Sequence, residues 1–297
     1  MNDKLAVQTK DLLKKYNLRP KKRFGQNFLV DERIVLGILT AAQLTPADTV
    51  VEIGPGLGSL TAHLVQRAGQ VLAVEVDRSL IPPLKEKLAS YPGFRLLEQD
   101  ILKVNLDLAV TEAFGRIKEP YKVVANLPYY ITTPILMRLL EEQYQISTMI
   151  LMMQKEVGER LRALPGTKDY GALSVAVQYY TEPELVLKVP PSSFKPAPEV
   201  ESVVMKLTKR PVPAVTPLDE KLFFQVVRAS FGQRRKTLTN GLASVFTTWP
   251  KSKIIDLLDS IHIDPGIRGE QLGLVDFAKI ADAFYHEQEV EGVGESR

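Results

Sequence analysis

A doubly wound α/β domain followed by a small all-helical domain is the fold this sequence predicts, and three observations carry that prediction. Between about residues 31 and 160, short apolar runs alternate with segments of helical length and period. The short runs are continuously apolar, as parallel strands covered on both faces must be. A proline-rich stretch then separates this region from a C-terminal part whose periodicity is helical. With 297 residues the chain has room for two domains.

The elements follow in order. Asp31 is placed to cap a helix running to about Leu44, and Pro46-Ala-Asp48 marks the turn after it. Thr49–Ile53 reads as a strand ending in glycines, followed by a helical pattern over 59–68. Gln70–Val76 is a second strand, with a helix from Ser79 to about Ser90. Phe94–Glu98 and Tyr121–Asn126 are the third and fourth strands. Thr133 and Pro134 supply an N-cap and first-turn pair for a helix to about Glu142. Thr148–Gln154 is a fifth strand and 155–163 the helix after it, joined by the right-handed crossovers that parallel strands require. Eight of the 20 prolines fall between Pro183 and Pro217, around two further strand-like runs, Glu184–Val189 and Ser202–Leu207. Residues 210–217 read as a linker, and helical patterns follow at 218–231, 236–245, 252–260 and 270–285. The last ten residues, rich in Glu and Gly, are expected to fray. The expected organisation is a basic N-terminal segment over 1–30, an α/β domain over 31–210 and a helical domain over 217–297.

Composition narrows the chemistry. At 45% hydrophobic and 25% charged residues the balance is globular. Without cysteine there is no disulfide, thiol nucleophile or zinc ribbon. The three histidines, His63, His262 and His286, lie far apart, so no metal is expected. The N-terminus lacks a basic-then-apolar signal pattern, and no apolar run approaches the roughly 20 residues of a membrane span. A soluble cytoplasmic protein with no membrane partner is the expectation. The net charge of only +3 hides two basic clusters. One comprises Lys10, Lys14, Lys15, Arg19, Lys21, Lys22 and Arg23, with Asp11 as its one acid; the other is Arg228, Arg234, Arg235 and Lys236. Either alone reads equally well as a solvated surface. Two of them, beside Phe24 and Phe231, point to a phosphate backbone.

Two constellations point to a reaction. Glu52–Gly58 (EIGPGLG) ends the first strand, and its glycines let the backbone turn sharply and a ligand approach closely. Its spacing differs from the dinucleotide G-x-G-x-x-G, yet Glu75 closes the second strand where a ribose-binding acid belongs, so a nicotinamide cofactor competes at this point. Asn126-Leu127-Pro128-Tyr129 sits at the carboxyl end of the fourth strand, the edge where doubly wound folds bind ligands. Together the two resemble the signature of N6-adenine methyltransferases, and the nicotinamide reading recedes. The adenine N6 lone pair is delocalised into the ring, which makes the amine a poor nucleophile. The Asn126 amide oxygen and the Leu127 carbonyl can accept its two hydrogens and favour the pyramidal, more nucleophilic nitrogen. Tyr129 offers a face for stacking, worth about 1–3 kcal/mol.

Arg23–Leu29 (RFGQNFL), Asn126–Pro134 (NLPYYITTP) and Pro190–Ser202 (PPSSFKPAPEVES) together resemble the ribosomal RNA adenine N6,N6-dimethyltransferases. Phe231–Leu238 (FGQRRKTL) is similar to the small-subunit (16S) branch of that family, KsgA/RsmA. The resemblance spans about residues 20–275 in the right order. It implies a Rossmann-like class I methyltransferase sheet and S-adenosyl-L-methionine as methyl donor. Asn27 and Leu29 would close over this cofactor, Gly54 and Asn126 would contact it, Glu75 would bind its ribose hydroxyls and Asp100 its adenine. Phe194 would stack on the target base opposite Tyr129, completing a catalytic set of Asn126, Leu127, Pro128, Tyr129 and Phe194. Taken alone, Asp100 reads as a loop cap and Phe194 as a core plug. Lys21, Lys22, Arg23, Arg234, Arg235 and Lys236 would grip rRNA. The implied reaction is dimethylation of two adjacent adenines in a stem-loop near the 3′ end of small-subunit rRNA, by a monomer acting on an immature small ribosomal subunit during its biogenesis. Two alternatives stay open: the antibiotic-resistance branch that modifies large-subunit rRNA, and a ribosome-assembly factor with dispensable catalysis.

Overall fold

The computed structural model describes residues 3–21, 24–233 and 235–294. They group into two compact units, residues 1–158 with 182–209, and residues 159–181 with 210–297. In chain order the elements are α1 (Asp3–Lys15), β1 (Phe28–Leu29), α2 (Glu32–Ala42), β2 (Thr49–Ile53), α3 (Thr61–Leu64), β3 (Gln70–Glu75) and α4 (Ile81–Leu88). Then come β4 (Phe94–Glu98), α5 (Leu106–Phe114), β5 (Tyr121–Asn126), α6 (Thr132–Glu141), β6 (Ile146–Gln154), α7 (Lys155–Leu161) and α8 (Ala172–Tyr180). The chain ends with β7 (Thr181–Val189), β8 (Phe194–Lys195), β9 (Ser202–Lys209), α9 (Glu220–Phe231), α10 (Leu238–Ala243), α11 (Lys251–Ser260) and α12 (Leu274–Gly294).

The first unit is built on a seven-stranded sheet in the order β4-β3-β2-β5-β6-β9-β7. Strands β4 to β6 are parallel and β9 runs antiparallel to β6. Val50, Val51, Val71, Val74, Val123 and Val124 are buried, as a sheet covered on both faces demands. One cluster packs α2 (Val35, Ile38, Leu39) on Val50, Val71, Val124 and Ile150; a second joins Leu80, Leu84 and Leu88 to Leu57 and Phe28. The register fixes the functional edge. Ile53 pairs with both Val74 and Ala125, so Gly54, Glu75 and Asn126 leave three adjacent strands at one level. With β3 on one side of β2 and β5 on the other, this is the switch point at which doubly wound sheets open a crevice.

Asp31 caps α2 as expected, its Oδ1 accepting from the Arg33 amide at 3.0 Å. Other elements differ from the sequence reading. Helix α6 starts two residues early, with Ile131 rather than Thr133 at its N-cap and no side-chain cap. The 3-10 turn at Tyr129–Ile131 leads directly into it, and the Thr132 hydroxyl donates to the Pro128 carbonyl. The helix over 59–68 contracts to α3, and the chain reaches Ala68 through bonds from Arg67 and Ala68 to the Leu64 carbonyl. Three helices have no counterpart in the sequence reading. Helix α1 buries Leu5, Ala6 and Thr9 inside a stretch whose charge is its visible feature. Helix α5 is capped by Asn105, whose Oδ1 accepts from Leu108 N. The third, α8, lies in the second unit. Residues 288–294, expected to fray, continue α12 to Gly294.

The second unit is helical. Residues 159–181 group with it rather than with the sheet because α8 packs on α9. The Tyr179 ring stacks on Phe223 at 5.0 Å and the Tyr180 ring on Phe224 at 5.6 Å, and both hydroxyls donate to Glu220. Phe246 and Trp249 stack on Phe284 of α12. Among the described residues, no helix is long and apolar enough to cross a membrane.

Candidate active site

At the carboxyl edge of β2, β3 and β5 lies a cavity of about 270 Å³. Its walls are residues 24–29, the glycine loop after β2, the ends of β3 and β4, and Asn126–Ile131. The glycine loop turns with positive φ at Gly54 (+68°), Gly56 (+60°) and Gly58 (+71°), a region that side chains disfavour. At Gly56 space adds to conformation, since a Cβ there would lie 3.3 Å from the Phe28 ring.

Three titratable side chains surround this loop, Glu52 and Glu75 buried and Lys87 partly buried. Glu75 Oε1 accepts from the Asp77 amide at 2.8 Å, and Oε2 from the Gly56 amide at 3.3 Å. Burial raises its pKa above the usual carboxylate range, against the pull of these amides. Lys87, its pKa lowered by burial, donates to the Gly58 carbonyl at 2.9 Å. Glu52 is 2% exposed and lines the cavity, and its Oε2 has no hydrogen-bond partner among the described residues. Burial pushes its carboxyl up to about 8, with the nearby Thr61 hydroxyl and Lys87 ammonium pulling the other way and Glu75 reinforcing the rise.

The Glu52 proton has a consequence for stability. Between the ordinary carboxylate pKa of about 4.3 and about 8, the folded chain holds a proton that the unfolded chain releases. Stability therefore falls as pH rises through that window. Glu52→Gln keeps the neutral form at all pH. It is expected to leave the denaturant midpoint unchanged near pH 4 and to stabilise by on the order of 3–5 kcal/mol at pH 8. Equal midpoints at both pH values would refute the assignment.

Asp100 lines the cavity beyond β4, and its Oδ1 caps the following turn by accepting from Leu102 N. Asn126 ends β5, and its Nδ2 donates to the Asn27 carbonyl at 3.3 Å, joining the two walls. Leu127 is buried and donates its amide to the Met152 carbonyl. Tyr129 is half-buried, with its hydroxyl hydrogen-bonded to Ser202 at the start of β9. Asn27, Leu29, Gly54, Glu75, Asp100, Asn126, Leu127, Pro128 and Tyr129 are thus brought around one cavity.

Phe194 is not among the lining residues. It pairs with Leu29 across the β1–β8 ladder, is 2% exposed, and packs among Leu29, Val35 and Val189. The stacking face expected of it is turned into the core, because the ladder that positions Leu29 also directs the Phe194 ring inward. Lys21, expected among the residues that grip rRNA, has its ammonium paired with buried Asp77 at 2.6 Å. Lys22, Arg23 and Arg234 lie outside the described residues. Arg235 and Lys236 are exposed in the second unit. The sequence reading missed Gln26, Lys87 and Ser202. Gln26 and Ser202 stand inside the stretches that carry the resemblance, whereas no spacing signals that Lys87 turns inward.

The profile of the family described as Ribosomal RNA adenine dimethylase matches residues 17–265. The Ribosomal RNA small subunit methyltransferase A of Moorella thermoacetica is 54% identical over 282 residues, covering 94% of this chain and 97% of that one. The protein of the same name from Pelotomaculum thermopropionicum is 51% identical over 279 residues, covering 93% and 95%. Among solved structures, a dimethyladenosine transferase from Plasmodium falciparum superposes with a TM-score of 0.72 at 26% identity, over 85% of this chain and 95% of that one. The 23S rRNA methyltransferase ErmE gives 0.64 at 28% identity, over 86% and 99%. A sheet switch point walled by a glycine loop and an Asn-Leu-Pro-Tyr turn, together with a profile match over most of its length, places this chain in the ribosomal RNA adenine dimethylase family.

Proposed function

We propose that this chain transfers methyl groups from S-adenosyl-L-methionine to N6 of two adjacent adenines, twice per base, in a stem-loop near the 3′ end of small-subunit (16S) rRNA. The observation that carries the reading is the Asn126–Tyr129 turn, set on the same cavity as the buried Glu75 carboxylate. The cavity suits the donor. Glu75 offers two carboxylate oxygens to a ribose diol, and the glycine loop leaves room for close approach. Asn27 and Leu29 cover it, Gly54 contacts it and Asp100 meets the adenine end. When bound, S-adenosyl-L-methionine supplies an electrophilic methyl on a sulfonium.

With the Asn126 NH2 end engaged on the Asn27 carbonyl, Oδ1 is the end of that amide left to accept from N6. The Leu127 carbonyl accepts the second N6 hydrogen, and Tyr129, its hydroxyl tethered to Ser202, presents its ring to the flipped base. The proton leaves N6 after transfer, so no strong base is required. Phe194 supports the β1–β8 pair beneath this wall. The small-subunit names of relatives about half identical favour that target over large-subunit rRNA. An immature small subunit as substrate implies a cytoplasmic site of action.

The decisive test is mapping of labelled methyl groups after incubation with unmethylated small subunits. Label on two adjacent small-subunit adenines is expected; label on large-subunit rRNA, or none, would overturn the reading. A second measurement concerns RNA binding. Neutralising Arg234, Arg235 and Lys236 together is expected to weaken subunit binding and flatten its salt dependence, by roughly 0.7–0.9 in log–log slope for each phosphate no longer neutralised. An unaltered slope with the fold intact would return this cluster to solvated surface.

A further inference from the structure

The wall formed by residues 24–29 has little secondary structure of its own. Only Phe28 and Leu29 are in a strand, and that strand pairs over two residues. Side chains hold the rest. Lys21 donates its amide to Gln26 Oε1 at 2.8 Å, closing a loop over five residues. Gln26 Nε2 donates to Asp77 Oδ2 at 2.7 Å, and the Lys21 ammonium donates to Asp77 Oδ1 at 2.6 Å and Ser79 Oγ at 2.9 Å. Asp77 is 3% exposed, so its end of these bonds is shielded from water, where charge-assisted hydrogen bonds are stronger. Asp77 also donates its backbone amide to Glu75 Oε1. One buried carboxylate therefore joins the cavity wall to the strand end that carries Glu75.

We propose that Gln26, Lys21 and Asp77 are positioning residues: they strap the 24–29 wall to the end of β3 before any ligand arrives, so that Asn27 already stands over the cavity. Deepening the methyltransferase reading, the inference rests on it for the identity of the ligand. A wall already ordered loses less conformational freedom on binding, and the gain appears mainly as slower dissociation. The strap also gives the Lys21 charge a task other than gripping RNA, since Asp77 already neutralises it.

The test uses the full chain without ligand. Amide hydrogen exchange is compared for wild type, Gln26→Ala and Lys21→Met, two variants that leave the Asp77 cap on Ser79 in place. Exchange over 24–29 is expected to quicken by about tenfold in each variant, with β3 and β4 unchanged. In parallel, calorimetry with S-adenosylhomocysteine is expected to give a Kd raised by about tenfold. Wild-type exchange over 24–29 in both variants would overturn the proposal, as would a speeding that spreads equally through β3 and β4. If wild type does not bind S-adenosylhomocysteine, the methyltransferase reading fails, and the exchange result by itself still decides whether the strap holds the wall.

Discussion

Asn126→Ala is expected to slow methyl transfer by on the order of 10²–10³ while leaving cofactor affinity within a fewfold of wild type. The asymmetry follows from what the amide touches. Its nitrogen tethers the Asn27 carbonyl, a single long hydrogen bond of 3.3 Å, whereas its oxygen is the acceptor offered to N6 as that nitrogen pyramidalises. A preorganised partner for charge that develops only in the transition state carries rate rather than binding. The cavity keeps Glu75, Asp100 and the glycine loop in the variant, so the donor still has its ribose and adenine partners. Single-turnover kinetics on saturating unmethylated subunits, with a separate calorimetric titration of S-adenosylhomocysteine, measure the two quantities independently. A variant that transfers at the wild-type rate would remove the Asn-Leu-Pro-Tyr turn from the chemistry and favour an assembly factor. Tyr129→Ala offers a contrast, because stacking acts before the methyl moves and its loss should weaken productive placement of the base as well as turnover.

The sequence exposes the parts of this site that short-range rules govern. The parallel strands announce themselves as continuous apolar runs, and β4 and β5 fall on the residues expected for them. The edge that gathers Gly54, Glu75 and Asn126 follows from strand ends alone, since parallel neighbours in register finish at one level. What escapes is set by tertiary partners. Asp77 accepts from the Ser79 amide two residues on, a local bond; that it also draws in Lys21 and Gln26 depends on folding of a segment more than fifty residues away. Lys21 groups with its basic neighbours in the sequence because charge is visible there and its partner is not. Phe194 carries two readings, a core plug by composition and a stacking face by resemblance. Its pairing with Leu29 favours the first. Proximity in sequence assigns the 159–181 segment to the sheet, yet the aromatic pairs of Tyr179 and Tyr180 with α9 set its allegiance.

Glu75→Ala should raise the Kd for S-adenosyl-L-methionine by roughly 10- to 150-fold, the equivalent of about 1.5–3 kcal/mol for hydrogen bonds to a charged acceptor. Two effects contribute and can be separated. The carboxylate would lose its bonds to the ribose hydroxyls, and the Gly56 and Asp77 amides would lose their acceptor, loosening both the glycine loop and the strap that starts from Asp77. Glu75→Gln keeps one oxygen and nearly the same shape, so it should retain much of the loop while losing the charge; its Kd should fall between those of wild type and Glu75→Ala. The pH dependence gives an independent check. The ionised carboxylate is the better acceptor, and burial raises its pKa above the ordinary range, so wild-type affinity should begin to fall with decreasing pH sooner than an exposed glutamate would predict. Glu75→Gln has no such proton to take up, and its affinity should lack that acid limb. Calorimetric titrations of both proteins across the acid range measure the difference. Unchanged affinity in Glu75→Ala, or the same acid limb in Glu75→Gln, would mean that the ribose is held elsewhere.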